Sequence, residues 1–353
     1  MRVKLEDVCE RGSSNLKQSD VCEMKGDYPI YGASGYIGNV DFYHQEKPYV
    51  AVVKDGAGIG RTTLHPAKSS VIGTMQYLLP KENVLPEYLF YVVSYMHLEK
   101  YFTGATIPHI YFKDYKNEEF NLDSIEKQAE IVDVLGRCQQ VIEKRKREMQ
   151  LLDDLIKARF VEMFGDPIQN PKGWDMPLIE EVVANEKNAL KAGPFGSALK
   201  KEYYVTSGYK IYGQEQVISG DCTFGDYYID EERYKSFENC AVQAGDVLIS
   251  LVGTYGKLLI MPEVFEPGII NPRLMKITFD KEKINPYYFK FFFQSESLKR
   301  ALSENTHGGT MDILNLGIVR KIAMPLPPLK LQNEFADFVK QVDKSKVAVL
   351  KIF

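Results

Sequence analysis

Residues 124–164 read SIEKQAEIVDVLGRCQQVIEKRKREMQLLDDLIKARFVEMF, and they predict one long helix. Ser124 before polar first-turn residues is typical of a helix start. The following Gly165-Asp166-Pro167 predicts its end. A helix over about 125 to 164 would be roughly 60 Å long at about 1.5 Å per residue. Because one small domain is too short to cover that length, the stretch predicts a spacer between globular units.

Apolar side chains recur along this helix with heptad spacing. They are Ile131, Leu135, Cys138, Ile142, Met149, Leu152 and Ile156, with an interruption at Arg145. A second seam near the end of the chain consists of Leu331, Phe335, Phe338, Val342, Ser345, Val349 and Ile352. Such seams are typical of paired helices and predict an antiparallel coiled coil. Two amphipathic helices that each pack on their own domain are the alternative.

The regions before the two seams nearly repeat each other. Gln128 corresponds to Gln332 at an offset of 332 − 128 = 204, and Pro86 corresponds to Pro286 at an offset of 200. Further upstream, Tyr28-Pro29-Ile30-Tyr31-Gly32 matches Tyr209-Lys210-Ile211-Tyr212-Gly213 at an offset of 181. Short apolar runs between glycine and proline predict strands in both copies. The fold class expected is α+β, with two similar mixed α/β domains and approximate twofold symmetry.

This organisation gives four predicted segments. They are a first domain at 1–123, a long helix at 124–164, a linker and second domain at 165–328, and a final helix at 329–353. At the 204 offset Phe353 corresponds to Met149, so the second helix is expected to be about 15 residues (164 − 149) shorter than the first.

Composition favours a globular protein of the cytoplasm. The 353 residues are 44% hydrophobic and 26% charged, with a net charge of −4, which is ordinary for two globular domains. Five scattered cysteines favour free thiols in a reducing compartment. The N-terminal residues lack the apolar core of a signal peptide, and the longest apolar run is too short to span a bilayer. We therefore expect a cytoplasmic protein that is not in a membrane.

The lack of catalytic motifs in the sequence predicts that the chain is not an enzyme by itself. Residues 56–62 are glycine-rich, but they lack the spacing of a phosphate loop or of a dinucleotide fingerprint. Asn285-Pro286-Tyr287-Tyr288 differs from the Asn-Pro-Pro-Tyr motif of amino-methyltransferases, and its match to Leu85-Pro86-Glu87-Tyr88 indicates a helix start instead. The five histidines are dispersed. No catalytic residue and no metal site are predicted.

Three paired regions could form a DNA-recognition face in each domain. They are the turn after the Tyr-Gly pair, the glycine turn, and the loop before the last strand. Arg and Lys bind guanine or phosphate, Gln can pair with adenine, and glycine allows close approach. The candidates are Tyr31, Ser34, Lys54, Asp55, Arg61, Thr106 and His109 in the first copy, and Tyr212, Gln214, Gln216, Thr254, Lys257, Asn271, Arg273, His307 and Thr310 in the second. Polar glycine-rich loops that merely connect strands are the alternative.

One stretch resembles a known family. Residues 159–167, Arg-Phe-Val-Glu-Met-Phe-Gly-Asp-Pro, followed by Asn170-Pro171-Lys172-Gly173-Trp174, resemble the central region of the specificity (S, or HsdS) subunit of Type I restriction-modification enzymes. Pro325-Leu326-Pro327-Pro328-Leu329 resembles that family's entry to its second helix. The first copy departs from this pattern, since residues 120–125 lack the prolines.

The resemblance implies a DNA-recognition subunit without catalysis of its own. Each target-recognition domain would read one half of a bipartite, asymmetric site, and the helices would set the gap between the halves. Two methyltransferase (M) subunits would dock on the helical region through the seam residues, which include Arg145. The family's cofactors would lie elsewhere: S-adenosylmethionine in the M subunit, and ATP with Mg in the restriction (R) subunit. Expected partners are therefore double-stranded DNA, two M subunits and an R subunit.

Two alternatives of other classes remain. One is a coiled-coil scaffold without sequence-specific DNA binding, which would lack a steep dependence of DNA binding on salt. The other is a self-contained DNA methyltransferase, which would transfer a methyl group with S-adenosylmethionine alone.

Overall fold

The computed structural model describes residues 1–104, 108–195, 198–252, 256–304 and 314–350, without the side chains of residues 349 and 350. The chain divides into two compact units, Met1–Lys144 and Arg145–Phe353. Each unit combines small sheets with helices, so the α+β class with two similar mixed domains is confirmed.

The strands are short and fall into two series. The first unit contains β1 (Arg2–Lys4), β2 (Cys9–Ser13), β3 (Tyr28–Gly32), β4 (Gly35–Val40), β5 (Tyr49–Val53), β6 (Thr62–His65), β7 (Ser70–Val71), β8 (Met75–Pro80) and β9 (Glu119–Asn121). The second contains β10 (Leu190–Ala192), β11 (Tyr209–Tyr212), β12 (Tyr228–Ile229), β13 (Val247–Ser250), β14 (Leu258–Ile260), β15 (Gly268–Ile270) and β16 (Leu274–Ile277).

The helices include two that carry the predicted seams. They are α1 (Leu5–Val8), α2 (Gln18–Val21), α3 (Pro86–Tyr95), α4 (Phe112–Tyr115), α5 (Ile125–Phe164), α6 (Gln214–Ser219), α7 (Glu231–Ser236), α8 (Pro286–Phe293), α9 (Glu296–Glu304), α10 (Leu316–Arg320) and α11 (Leu329–Leu350). The predicted long helix is therefore a single element, α5.

Both units contain a four-stranded and a three-stranded sheet with corresponding strand orders, and the first unit has in addition the two-stranded sheet β1-β9. The four-stranded sheets have the orders β2-β8-β5-β6 and β10-β16-β13-β14, and the three-stranded sheets β4-β3-β7 and β12-β11-β15. In each three-stranded sheet the middle strand pairs antiparallel with one neighbour and parallel with the other. Strand β5 is apolar throughout and β13 is apolar up to Ser250, and both are buried along their whole length, as expected of strands covered on both faces. The repeat seen in the sequence is thus a repeat of the fold.

A buried glutamine joins each seam helix to its domain. Gln128 accepts a hydrogen bond from Leu85 N at 2.9 Å and donates to two backbone carbonyls. Gln332 accepts from Asn285 N at the same distance and also donates to two carbonyls. Both side chains have no exposed surface. Since buried amides must be satisfied internally, these positions explain why glutamine recurs at the 204 offset.

In the second unit, α11 packs antiparallel to the last turns of α5. The Phe160 ring contacts the Phe335 ring with centroids 5.5 Å apart. Asp153 lies seven residues before Phe160 on α5, and Lys346 lies eleven residues after Phe335 on α11. Lys346 Nζ lies 2.7 Å from Asp153 Oδ1. Ile156 and Val342 lie in the same buried cluster. The predicted antiparallel pairing of the two seams is therefore present in this unit.

The seam is buried unevenly along α5. Ile156 is buried, and Arg145, Met149 and Leu152 are half-buried, as is Phe338 on α11. In the first unit, by contrast, Ile131 is half-buried while Leu135, Cys138 and Ile142 are exposed. The side chain of Val349 lies outside the described residues. Among the described residues, the seam is thus better buried in the second unit than in the first.

Candidate nucleic-acid interface

In the first unit, the three predicted recognition regions meet. The exposed Arg61 of the glycine turn donates from Nη2 to Ala33 O at 2.5 Å, which joins that turn to the turn after β3. Ser34, the next residue, is exposed. Gly60 has φ +81°, and a Cβ added there would lie 2.5 Å from Glu99 N. The turn therefore needs glycine for its shape, and no phosphate loop is required to explain it.

The glycine turn also contacts the loop before α4. His109 Nδ1 lies 2.6 Å from Asp55 Oδ1, and Lys54 Nζ lies 4.0 Å from the other carboxylate oxygen of Asp55. Backbone hydrogen bonds from Gly56 N to Pro108 O and from Ile110 N to Lys54 O fix the two segments together. A cation and an imidazole thus flank one half-buried carboxylate at this edge.

Packed aromatic rings lie next to the turn that follows β3. The Tyr31 ring lies 4.4 Å from the ring of His65, which stacks on Tyr49 at 5.2 Å. Thr63 Oγ1 lies 2.8 Å from His65 Nε2. Burial lowers the pKa of His65 to about 4 and raises the pKa of Tyr31, because both charged forms would lose hydration. The imidazole is therefore neutral at pH 7.

In the second unit, Gln214 connects three segments. Its Nε2 donates to Ser250 Oγ at 2.8 Å and to Val252 O at 2.5 Å, at the end of β13. Its Oε1 accepts from Arg273 Nη1 at 3.3 Å, and Arg273 N donates to Asn271 Oδ1 at 2.9 Å. The exposed guanidinium of Arg273 is thus held beside the half-buried amide of Gln214, whose hydrogen bonds are made within the domain.

Burial corrects the expectation for Tyr212 and Gln216. Tyr212 has no exposed surface, and its hydroxyl donates to Glu266 O at 2.6 Å. Gln216 is 1% exposed; its Oε1 accepts from Gly213 N at 2.7 Å and its Nε2 donates to Phe224 O at 2.6 Å. Because their polar atoms bond within the domain, these side chains position the turn and present nothing to a duplex.

Of the remaining candidates in the two units, some are described by the structure and others are not. Lys257 is exposed directly after the second glycine turn, and Gln294 Nε2 donates to Gly256 O at 2.9 Å, which anchors that turn to the end of α8. Thr106, Thr254, His307 and Thr310 lie outside the described residues. Surface contact with DNA stays a prediction for all exposed candidates.

Among the residues described, no cluster of three or more His, Cys, Asp or Glu is placed to hold a metal ion. No described helix is both long enough and apolar enough to cross a membrane.

The sequence of both units matches one known protein family. The model of the Type I restriction modification DNA specificity domain matches residues 1–152 and 171–351. The chain belongs to this family. Both repeats are included in the match, so each unit is a copy of the specificity domain.

Curated specificity subunits are similar over most of the chain. The MjaVIII specificity subunit of Methanocaldococcus jannaschii is 22% identical over 314 residues, covering 83% of this chain and 72% of that protein. The MjaIX specificity subunit of the same organism is 20% identical over 303 residues, covering 78% and 67% respectively. These values agree with membership of the specificity-subunit family.

Solved structures share the fold. The S subunit of a Type I restriction-modification system from M. genitalium aligns with a TM-score of 0.61 at 14% identity, covering 99% of this chain and 91% of that one. A chain from a structure describing complex assembly of the type I R-M system aligns with a TM-score of 0.52 at 16% identity, covering 100% and 92%. At such identities the likeness concerns the fold alone.

Three exposed aromatic residues of this specificity subunit were not among the candidates predicted from the sequence. Tyr36 is 62% exposed and packs edge-on against Tyr31. Tyr111 is 50% exposed and stacks near His109, and Phe195 in the second unit is 88% exposed. Exposed rings at a nucleic-acid surface can contact sugars and bases. Their only signal in the sequence was an aromatic residue next to a turn.

Proposed function

We propose that each unit reads one half of a bipartite, asymmetric DNA site and that the seam helices set the gap between the halves. The proposal has its main support in one observation: the same strand order carries different side chains at corresponding turns. Arg61 and the Asp55–His109 pair form the edge of the first unit, whereas Gln214 and Arg273 form that of the second. A shared frame with different polar groups is suited to two different half-sites.

The chemistry of modification is proposed to lie in other subunits. M subunits would dock on the helical region and carry S-adenosylmethionine, and an R subunit would use ATP with Mg. The chain itself would position the M subunits on the target, and the adenine to be methylated would be flipped into the M subunit. Purified chain supplied with DNA and S-adenosylmethionine alone is accordingly expected to transfer no methyl groups.

Exchange of one unit should change one half of the methylated motif. Residues 1–123 would be replaced by the corresponding domain of a relative, and the chimera expressed with its M subunit. Long-read methylome mapping should then show a new first half-site, with the second half-site and the gap unchanged. A chimera that alters both halves would contradict the assignment of one unit to each half. Exchange of 165–328 is the reciprocal experiment.

Removing the cation of Arg273 should weaken DNA binding at one half-site. Arg273→Ala is expected to reduce binding of the methyltransferase complex to its specific DNA by about 10- to 100-fold, the cost of about 1–3 kcal/mol for a lost base contact. Lys330→Ala is the control, since Lys330 is an exposed cation in the first turn of α11. That turn contacts the start of α8 through Gln332 and Asn285, whereas the glycine turn contacts the end of α8. Fluorescence anisotropy at fixed salt gives both affinities. If the two variants lost the same affinity for DNA, Arg273 would contribute only to the overall charge of the protein and not to a base contact.

A further inference from the structure

A phenylalanine ring stands in solvent at the recognition edge of the second unit. Phe195 is 88% exposed, although phenylalanine is among the residues most often buried on folding. It follows Gly193 and Pro194, which are both buried, so the ring lies directly beyond a packed segment. Exposed apolar residues are common on protein surfaces, and the position of this ring in the fold must therefore decide its role.

Close packing of Gly193 fixes the backbone that leads to Phe195. A Cβ added at Gly193 would lie 2.0 Å from Asn271 O, so only glycine allows this approach. Pro194 has a restricted φ angle, and Ala198 N donates a hydrogen bond to Phe195 O at 3.2 Å. The ring is therefore carried by backbone that is held on both sides.

The same contact places Phe195 beside the cation proposed to read a base. Asn271 Oδ1 accepts a hydrogen bond from Arg273 N at 2.9 Å, and Gly193 packs on Asn271. The two residues from Gly193 to Phe195 span at most about 7 Å of chain. Because the major groove of DNA is about 12 Å wide, a duplex that contacts Arg273 would also lie within reach of the ring.

The first unit carries no exposed ring at the corresponding position. Strands β2 and β10 are the first strands in the two four-stranded sheets, so the residues after β2 correspond to those after β10. Residues 14–20, which follow β2, read Ser-Asn-Leu-Lys-Gln-Ser-Asp, and none of them is an exposed large apolar residue. Any effect of the Phe195 ring on DNA is therefore expected at one half-site only.

Insertion between base pairs would remove both faces of such a ring from water. Apolar side chains that enter a base step unstack it and kink the duplex by about 20–90°. Lys201, an exposed cation six residues after Phe195, would be available to the phosphates on either side of the kink. A ring that only covered a sugar would leave the duplex straight, which separates the two roles by experiment.

We propose that Phe195 is a wedge that inserts between two base pairs of the second half-site and kinks the duplex there. The proposal rests on the proposed reading of one half-site by each unit. Kinking costs least at flexible pyrimidine–purine steps. The second unit would therefore select such a step by its deformability, in addition to the base that Arg273 contacts.

Bending of DNA by the methyltransferase complex tests the wedge. Energy transfer between dyes that flank the second half-site should report a kink of about 20–90° with wild type. Phe195→Ala should remove most of this kink and weaken specific binding by about fivefold or more, whereas Phe195→Leu should keep most of it, since leucine also acts as a wedge. Val264→Ala is the control, because Val264 is equally exposed between β14 and β15 of the same unit. Dyes that flank the first half-site should report no change with any of these variants.

A mismatched base pair at the kinked step separates a wedge from a structural role. Permanganate oxidation of unstacked thymines locates the step in the wild-type complex. Because a mismatch is easier to unstack, it should restore most of the affinity that Phe195→Ala loses on the matched duplex. A variant that failed to fold would bind neither duplex, and circular dichroism would show it.

Two results would overturn the wedge and leave the reading of half-sites intact. One is a Phe195→Ala complex that keeps the wild-type kink, and the other is an equal loss of affinity on matched and mismatched duplexes. A wild-type complex that showed no preference for its own methylated motif would instead overturn the proposed function, and the wedge with it.

Discussion

Lys276→Met is expected to lower the free energy of unfolding of the second unit by about 3–5 kcal/mol. Lys276 is 3% exposed on the inner strand β16. Its Nζ lies 3.3 Å from Oδ2 of Asp246, which has no exposed surface. Thr278 Oγ1 and Gln243 N also donate to this carboxylate. Removal of the lysine leaves a buried carboxylate with hydrogen bonds but without a counter-charge.

Trp174 makes this loss measurable. It is the single tryptophan of the chain, and its Nε1 donates to Phe164 O in the second unit, so its fluorescence in urea follows that unit. Lys283→Met is the matched control, because Lys283 pairs with Asp280 at the surface and such pairs contribute about 1 kcal/mol or less. A Lys276→Met loss no larger than that of the control would contradict the argument.

The pH dependence of this variant should identify the buried acid. Burial raises the pKa of Asp246, and Lys276 opposes the rise. Without the lysine the pKa rises further, and a raised pKa in the folded state favours folding at low pH and penalises it at high pH. The deficit of Lys276→Met should therefore shrink as pH falls toward the pKa of Asp246 in the variant. Adding Asp246→Asn should return part of the stability at pH 7.

Acidification is expected to destabilise the first unit through His65, by about 3 kcal/mol between pH 6.5 and 4. Burial lowers the pKa of this imidazole to about 4, whereas the unfolded chain takes up the proton near 6.5. The unfolded state therefore binds more protons across this window. The contribution of the neutral His65 to the free energy of unfolding is fully present above pH 6.5 and is lost as the pH falls toward 4.

The imidazole can be followed directly by NMR. In the folded protein its resonances should not titrate near pH 6.5, and His65→Phe should remove this part of the slope of stability against pH. His97→Gln is the control, because the His97 side chain is 71% exposed. A His65 pKa near 6.5 would show that the ring is hydrated.

Much of the fold was predictable because the repeat constrains both copies. Gln128 and Gln332 make equivalent hydrogen bonds, and the motif at Asn285 proved to be a helix cap, with Tyr287 N donating to Asn285 Oδ1. These are local signals: a side chain of the right shape at a fixed offset, and a proline in the first turn. Local signals of this kind can be recognised in a single sequence.

The recognition edge was predicted less completely. The turns that carry Ala33, Asp55, Arg61 and His109 do meet, as expected of loops from adjoining strands. Which side chains face outward was not predictable, since Gln214 reaches the surface network while Gln216, two residues later, is buried. A polar residue in a turn looks the same in sequence whether its amide bonds inward or outward.

The sequence alone determined the repeat, the long helix and the family resemblance, because periodicity and glycine or proline punctuation act over a few residues. Only the tertiary structure decided how the seam is used. The same heptad pattern is buried at Ile156 and exposed at Ile142, since burial depends on whether another element, remote along the chain, packs there. Heptad spacing specifies a face that can pair, and packing in three dimensions specifies whether it does.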